Sequence, residues 1–157
     1  MSQEIEKKFL LSSLPVGVAN PVVIKQGYLS VGDPEVRVRQ KGKKFFATAK
    51  SGEGLVRDEA EEEISSAVFN ILWPATAGAR VKKVRYSLVG LDGLTWEIDL
   101  YTGALEGLII AEVEMASATV DPKMPRAIKA VFIADVTCNS AYKNKNLAVK
   151  GSPRRVA

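Results

Sequence analysis

At 157 residues the chain has the length of one ordinary domain, and its 46% hydrophobic and 25% charged content excludes disordered, collagen-like and coiled-coil classes. Its 22 Lys+Arg against 18 Asp+Glu leave a modest formal net charge of +4, which permits an anionic ligand. The absence of histidine removes Ser-His-Asp and Cys-His catalysis and every His-ligated metal, and a lone cysteine, Cys138, removes internal disulfides and cysteine zinc clusters.

Any metal therefore sits on oxygen. Glu4, Glu6, Lys7 and Lys8 occupy the region where a signal peptide needs an apolar run, and the stretch from Ile64 to Ala79 is too short and too polar for a bilayer. The expectation is a cytoplasmic chain without membrane contact. Residues 1–149 read as one domain, and 150–157, with Lys150, Arg154 and Arg155, as a basic frayed tail. That tail reads as solvated, so no specific nucleic-acid partner is expected. The sequence leaves the oligomeric state open, a homodimer being one option.

Alternation of period two predicts strands over 3–11, 22–31, 35–41 and 44–50, then over 55–63, 81–89, 94–101 and 107–117. The turns Gly32-Asp33-Pro34, Lys41-Gly42-Lys43, Ser51-Gly52-Glu53-Gly54 and Leu91-Asp92-Gly93 place glycine where a hairpin needs positive φ, favouring antiparallel neighbours. Helices are few. Ser65 or Ser66 caps one carrying Ala67, Val68, Ile71 and Leu72, which Pro74 stops. Asp121-Pro122 reads as a second helix start, and a third helix is expected from Ser140 to about Val149. Trp73 and Trp96 read as packing residues, as do Tyr28 and Tyr86 with a place at the rim as the alternative, and Cys138 reads as structural or incidental.

Residues two apart on a strand share a face, and here they sort by sign. Glu4/Glu6, Glu59/Glu61, Glu97/Asp99 and Glu112/Glu114 are acidic pairs, while Arg37/Arg39 and Lys83/Arg85 are basic; Lys8 and Lys50 lie on the faces of Glu6 and Thr48. Two like charges about 7 Å apart repel by roughly 0.6 kcal/mol in water and about 2.4 kcal/mol at a dielectric of 20. Ordinary surfaces intersperse the signs. A site for a polyanion with divalent cations needs cationic and carboxylate clusters together, and both are present. The opposite strand faces are apolar, as at Val36 and Val38 or Trp96 and Ile98. A barrel with a polar lumen and helices padding its outside meets that demand, as does an open sheet with one helical layer.

Glu4-Ile5-Glu6-Lys7-Lys8 is an ExExK motif. In order behind it come Gln26-Gly27-Tyr28-Leu29, Val36-Arg37-Val38-Arg39-Gln40, Thr48-Ala49-Lys50, and Arg57 with Glu59 and Glu61. Lys83-Val84-Arg85-Tyr86, Trp96-Glu97-Ile98-Asp99, Gly107-Leu108, Ala111-Glu112-Val113-Glu114, Val136-Thr137 and Tyr142-Lys143-Asn144 follow. In this order the chain resembles the CYTH family, the triphosphate tunnel metalloenzymes, over roughly residues 3–149. The Leu72-Trp73-Pro74-Ala75-Thr76 segment is most similar to the short bacterial inorganic triphosphatases.

The resemblance implies a mostly β (α+β) fold, an eight-stranded antiparallel tunnel-like barrel with a charged lumen and a few short helices outside. It implies that Lys8, Arg37, Arg39, Lys50, Arg57, Lys83 and Arg85 bind phosphate, and that Glu4, Glu6, Glu112 and Glu114 hold Mg²⁺ or Mn²⁺. Glu59, Glu61, Glu97 and Asp99 complete the acidic side, one carboxylate orienting water for metal-dependent hydrolysis of tripolyphosphate or a related triphosphate to orthophosphate. A class IV adenylyl cyclase and a non-catalytic polyphosphate or nucleotide binder are the alternatives. The chain departs from the family pattern at 128–137, where a Pro-x-Trp-x-Gly stretch is replaced by Ile128-Lys129-Ala130-Val131-Phe132-Ile133-Ala134-Asp135-Val136-Thr137.

Overall fold

All eight alternating segments become strands in the computed structural model, which describes residues 1–153. They are β1 (Ser2–Leu11), β2 (Ala19–Ser30), β3 (Glu35–Lys41), β4 (Lys44–Ser51), β5 (Val56–Ile64), β6 (Arg80–Val89), β7 (Thr95–Tyr101) and β8 (Ile109–Glu114). Pairing runs β5-β4-β3-β2-β6-β7-β8-β1, and β1 returns to β5, so eight antiparallel strands close on themselves. Closure leaves neither end of the sheet as an open edge.

The four glycine turns all join paired strands. Gly42, Gly52, Gly54 and Gly93 take the positive φ expected of them; Gly32 does not, and its turn carries a cis Asp33-Pro34 peptide instead. A ninth strand, β9 (Phe132–Asp135), was not expected. It pairs with Phe9–Leu11 of β1, while β5 pairs with Ser2–Ile5 of the same strand. β9 thus continues the seam where β5 has left β1.

Two main apolar clusters form among the described residues. Outside the barrel, Phe9, Leu11, Trp96, Ile98, Ala111 and Val113 pack under Ile128 of α2 (Arg126–Lys129). Inside, Leu10, Val81, Tyr101 and Ile110, which share faces with Lys8, Lys83, Asp99 and Glu112, pack against Leu147 of α3 (Asn144–Lys150). One stretch of the lumen is therefore filled with an apolar plug.

The first helix, α1 (Ser66–Leu72), begins as its capping chemistry dictates, with Ser65 Oγ accepting from the Val68 N–H at 3.1 Å. Pro74 diverts it into a 3₁₀ turn over Trp73–Thr76. Thr76 sits directly on Gly27 of β2: a Cβ there would lie 2.4 Å from Thr76 Oγ1, so only glycine admits this docking.

Two helix expectations need correction. Asp121-Pro122 does not open a helix; α2 starts at Arg126, behind Pro125. Pro125 biases the residue before it away from helical backbone and lacks the N–H that an earlier helix would require. The helix expected from Ser140 is broken at Lys143, whose extended backbone (φ −67°, ψ 136°) separates a 3₁₀ turn, Ser140–Tyr142, from α3. Lys150, read as part of the tail, closes α3, and Gly151 caps it. Arg154 and Arg155 lie outside the described residues. No helix among the described residues is long and apolar enough to cross a membrane.

Candidate active site

Beyond the plug, the same barrel encloses a cavity of about 230 Å³ lined by nine basic and eight acidic side chains. Strand parity builds it. Glu4, Glu6 and Lys8 come from β1, Arg37 and Arg39 from β3, Lys50 from β4, Arg57, Glu59 and Glu61 from β5, Lys83 and Arg85 from β6, Glu97 from β7, and Glu112 and Glu114 from β8. Thus every site residue singled out in the sequence lines this one cavity except Asp99, which is fully buried behind it.

Asp99 accepts from Arg85 Nε at 2.7 Å and Nη2 at 2.9 Å, and from Lys83 Nζ at 2.7 Å. Both its oxygens are taken, so it is not a free carboxylate of the lumen; it holds two cations in place. Burial lowers the Lys83 ammonium to about 8 despite that partner.

The signs interlock across strands. Lys50 meets Glu4 at 2.7 Å, Lys8 meets Glu112 at 3.6 Å and Glu6 at 3.9 Å, Arg85 reaches Glu97 at 3.1 Å and Glu112 at 3.3 Å, and Arg39 lies 3.5 Å from Glu61. Thr48 Oγ1 donates to Glu61 at 2.7 Å. With cations between them, no three carboxylates among the described residues already form a cluster able to hold a metal.

The match is incomplete in ways that point to a ligand. Arg37 has no carboxylate partner among the described residues. Arg37 Nε, Arg39 Nε and Glu112 Oε1 are buried without a hydrogen-bond partner, each an unrecovered desolvation cost of about 1–3 kcal/mol or more. Burial, then Arg37 and Arg85, lowers Arg39 to about 10. On the acidic side, burial and the neighbouring Glu112 push Glu6 up to about 8. Burial and a hydrogen bond with Glu4 push Glu59 to about 7. Burial also opposes ionisation of Glu4, yet Lys50 overrides it and holds Glu4 at about 2.

Several lining residues escaped the sequence reading. Glu35, 4% exposed, shares the face of Arg37 and Arg39 and meets Arg57 at 3.1 Å and Lys145 at 4.0 Å. A search for like-signed pairs passes over it because its sign is opposite to that of Arg37. Lys41 continues the same face. Tyr28, expected to pack or to stand at a rim, lines the lumen, and its hydroxyl accepts from Gln26 Nε2 at 3.0 Å. Lys143, Asn144 and Thr137 complete the wall. Asn144 Oδ1 accepts from Tyr101 Oη at 2.6 Å and stands 3.5 Å from Lys83 Nζ, so α3 joins the plug to the charged layer.

No protein-family model matches the chain. It is 42% identical over 148 residues to an inorganic triphosphatase of Nitrosomonas europaea, covering 93% of this chain and 97% of that protein. An inorganic triphosphatase of Acetivibrio thermocellus is 36% identical over 151 residues, with 94% of each chain covered. Among solved structures, the crystal structure of the inorganic triphosphatase NE1496 is similar with a TM-score of 0.69 and 38% identity, covering 98% of this chain and 99% of that one.

Proposed function

The chain belongs to the inorganic triphosphatase family, and from that premise we propose that it hydrolyses inorganic tripolyphosphate in the charged cavity, with a divalent cation, Mg²⁺ or Mn²⁺, on the carboxylate wall. One observation carries the reading: two buried guanidiniums, Arg37 and Arg39, keep unpartnered Nε atoms beside a cavity whose other side is carboxylate. The closed barrel and its sorted lumen also support the wider CYTH assignment. A chain whose one cysteine is exposed and free works without a disulfide, which suits a cytoplasmic setting.

The near balance of charge explains why cations are needed. A polyanion entering nine cations and eight carboxylates is neutralised only if some carboxylates are covered. Glu4, Glu6, Glu112 and Glu114 offer oxygen donors only, and Glu112 Oε1 lacks a hydrogen-bond partner, a set that fits a hard divalent cation. A cation held there supplies Lewis-acid neutralisation of phosphate charge.

The residues of the chain do the rest. Arg37 and Arg39 grip phosphate oxygens with their free donors, and Lys8, Lys50, Arg57, Lys83 and Arg85 exchange carboxylate for phosphate partners. Asp99 acts through Lys83 and Arg85 as a positioning residue. A water oxygen bonds to the terminal phosphorus, the bond from that phosphorus to the bridging oxygen breaks, and diphosphate leaves beside orthophosphate. The water's proton passes to a carboxylate. Glu59, poised at about 7, is best matched to that transfer near neutral pH, with Glu61 beside it on β5 and Glu97 on β7.

The test is phosphate release from tripolyphosphate, thiamine triphosphate and ATP with Mg²⁺ or Mn²⁺. Orthophosphate from tripolyphosphate, abolished by chelator and reduced at least about 100-fold by Arg39→Ala, is expected. Cyclic AMP with diphosphate from ATP replaces the reading with a cyclase, and metal-dependent binding without turnover replaces it with a binding module.

A further inference from the structure

A second group of cations stands outside the barrel. Lys25 of β2 and Lys82 of β6 are directly opposed across the strand pair, an arrangement in which like charges destabilise a sheet. Arg80 shares their face two residues before Lys82. None of the three is ion-paired to a carboxylate among the described residues. All three border an open surface pocket of about 280 Å³ whose other walls are Trp73, Val81, Thr102 and the turn at 103–105.

Two of these cations are held in position, while Lys82 is exposed beside them. Lys25 Nζ and the Arg80 guanidinium each lie 4.4 Å from the Trp73 ring centroid, within cation–π range. The ring itself stacks on Phe69 at 5.2 Å. Arg80 donates from Nε to Thr76 Oγ1 at 3.0 Å and from Nη2 to the Trp73 carbonyl at 2.9 Å, and Nη1 makes no hydrogen bond among the described residues. Thr76 in turn rests on Gly27. A freely solvated basic patch spreads its charges apart; here a tryptophan draws two of them together beside a third.

The pocket has room for about nine waters at ~30 Å³ each, space for a compact oxyanion. Without a lining carboxylate it has no means of holding a metal cation. We propose that this outer pocket is a second anion site, taking a small phosphate dianion, free or carried on an organic group, separately from the lumen. The proposal does not rest on the triphosphatase reading, because it uses none of the lumen residues.

Trp96 is fully buried in the opposite packing cluster, so Trp73 is the natural reporter. The full chain is titrated in chelator at constant ionic strength, with orthophosphate in one arm and AMP in the other, and followed by tryptophan fluorescence and calorimetry. Saturation with a Kd below about 1 mM in either arm is expected, the stronger arm identifying free or organic phosphate. Lys25→Gln with Lys82→Gln should weaken the binding that Trp73 fluorescence reports at least tenfold, while Arg39→Ala, which removes a lumen contact only, leaves that fluorescence titration unchanged. Absence of saturation, an equal response to sodium chloride, or a loss in Arg39→Ala but not in the double variant overturns the proposal. Lys82→Gln alone should raise the ligand-free Tm by about 1–2 °C through relief of repulsion; a Tm that fails to rise overturns it as well.

Discussion

Lys8 and Leu10, Asp99 and Tyr101, Lys83 and Val81, and Glu112 and Ile110 stand two residues apart on four strands, and each pair marks a boundary between two layers of one barrel interior. The lower layer is an apolar plug in which Leu147 of α3 seats against Leu10, Val81, Tyr101 and Ile110. Its side chains are satisfied by packing, with one polar group, the Tyr101 hydroxyl, donating to Asn144 Oδ1. The upper layer is dense in charge and incompletely paired, with orphaned nitrogens on Arg37 and Arg39 and an orphaned oxygen on Glu112. The difference separates two jobs: the plug stabilises the fold, and the charged layer holds unmet demand for a ligand.

Asp99 is the residue that breaks the simple form of this division, because it belongs to the charged layer yet is built for stability. Removing it leaves Lys83 and Arg85 buried without their principal partner. Asp99→Ala should cost about 3–5 kcal/mol, the range for breaking a buried ion pair by deleting one side, read as the fall in unfolding free energy in urea. A loss below 1 kcal/mol would mean the two cations find other partners and the interlock is loose. In the plug, Leu147→Ala should cost about 2–4 kcal/mol, and the same urea melts measure it. If that loss were near zero, α3 would be a cover resting on the barrel instead of a plug within it.

A triphosphate should stabilise the upper layer and do nothing for the plug. At 100 times its Kd a ligand adds about 2.7 kcal/mol, several degrees of Tm for a domain of this size. Tripolyphosphate with Ca²⁺ should therefore raise Tm well beyond orthophosphate at equal ionic strength, and by as much in Leu147→Ala as in the unaltered chain. Equal melting temperatures with the two anions would mean that the lumen does not engage a chain of phosphates.

The two layers were unequally legible in the sequence. Charges at spacing two announce a common face whatever the partner strand is, so the upper layer could be read without knowing the topology. The plug could not, because Leu10, Val81 and Ile110 share parity with the charges while their apolar neighbours pack outside; both faces look like core. Glu35 was hidden by its sign beside Arg37 and Arg39. β9 was hidden by brevity: four residues do not display a period, and Phe132–Asp135 becomes a strand only because β5 leaves the edge of β1 free there. At α2 the difference is local: Pro125, not Pro122, sets the helix start.

The smallest expected effect is also the sharpest on the upper layer, since it asks whether the carboxylates are strained without a ligand. Glu6 is raised from 4.5 to about 8 and Glu59 to about 7, burial being the main cause in both. A folded-state pKa above the unfolded one means that the folded chain binds more protons in between, so this contribution is complete below about pH 4.5 and is lost as pH rises towards 8. Glu4, held at about 2, acts oppositely but only below pH 4.5. Lys83, lowered to about 8 by burial, raises stability with pH only above 8. Between pH 5.5 and 7.5 the slope therefore belongs to the raised carboxylates, and in chelator the Tm should fall across that range. Glu6→Gln, which stays neutral, should flatten the fall, and a divalent cation should stabilise more at pH 7.5 than at 5.5 because it no longer competes with a proton. A Tm that rises through this window in the metal-free chain would show that Glu6 and Glu59 ionise at no cost, and the contrast with the satisfied plug would fail on its acidic side.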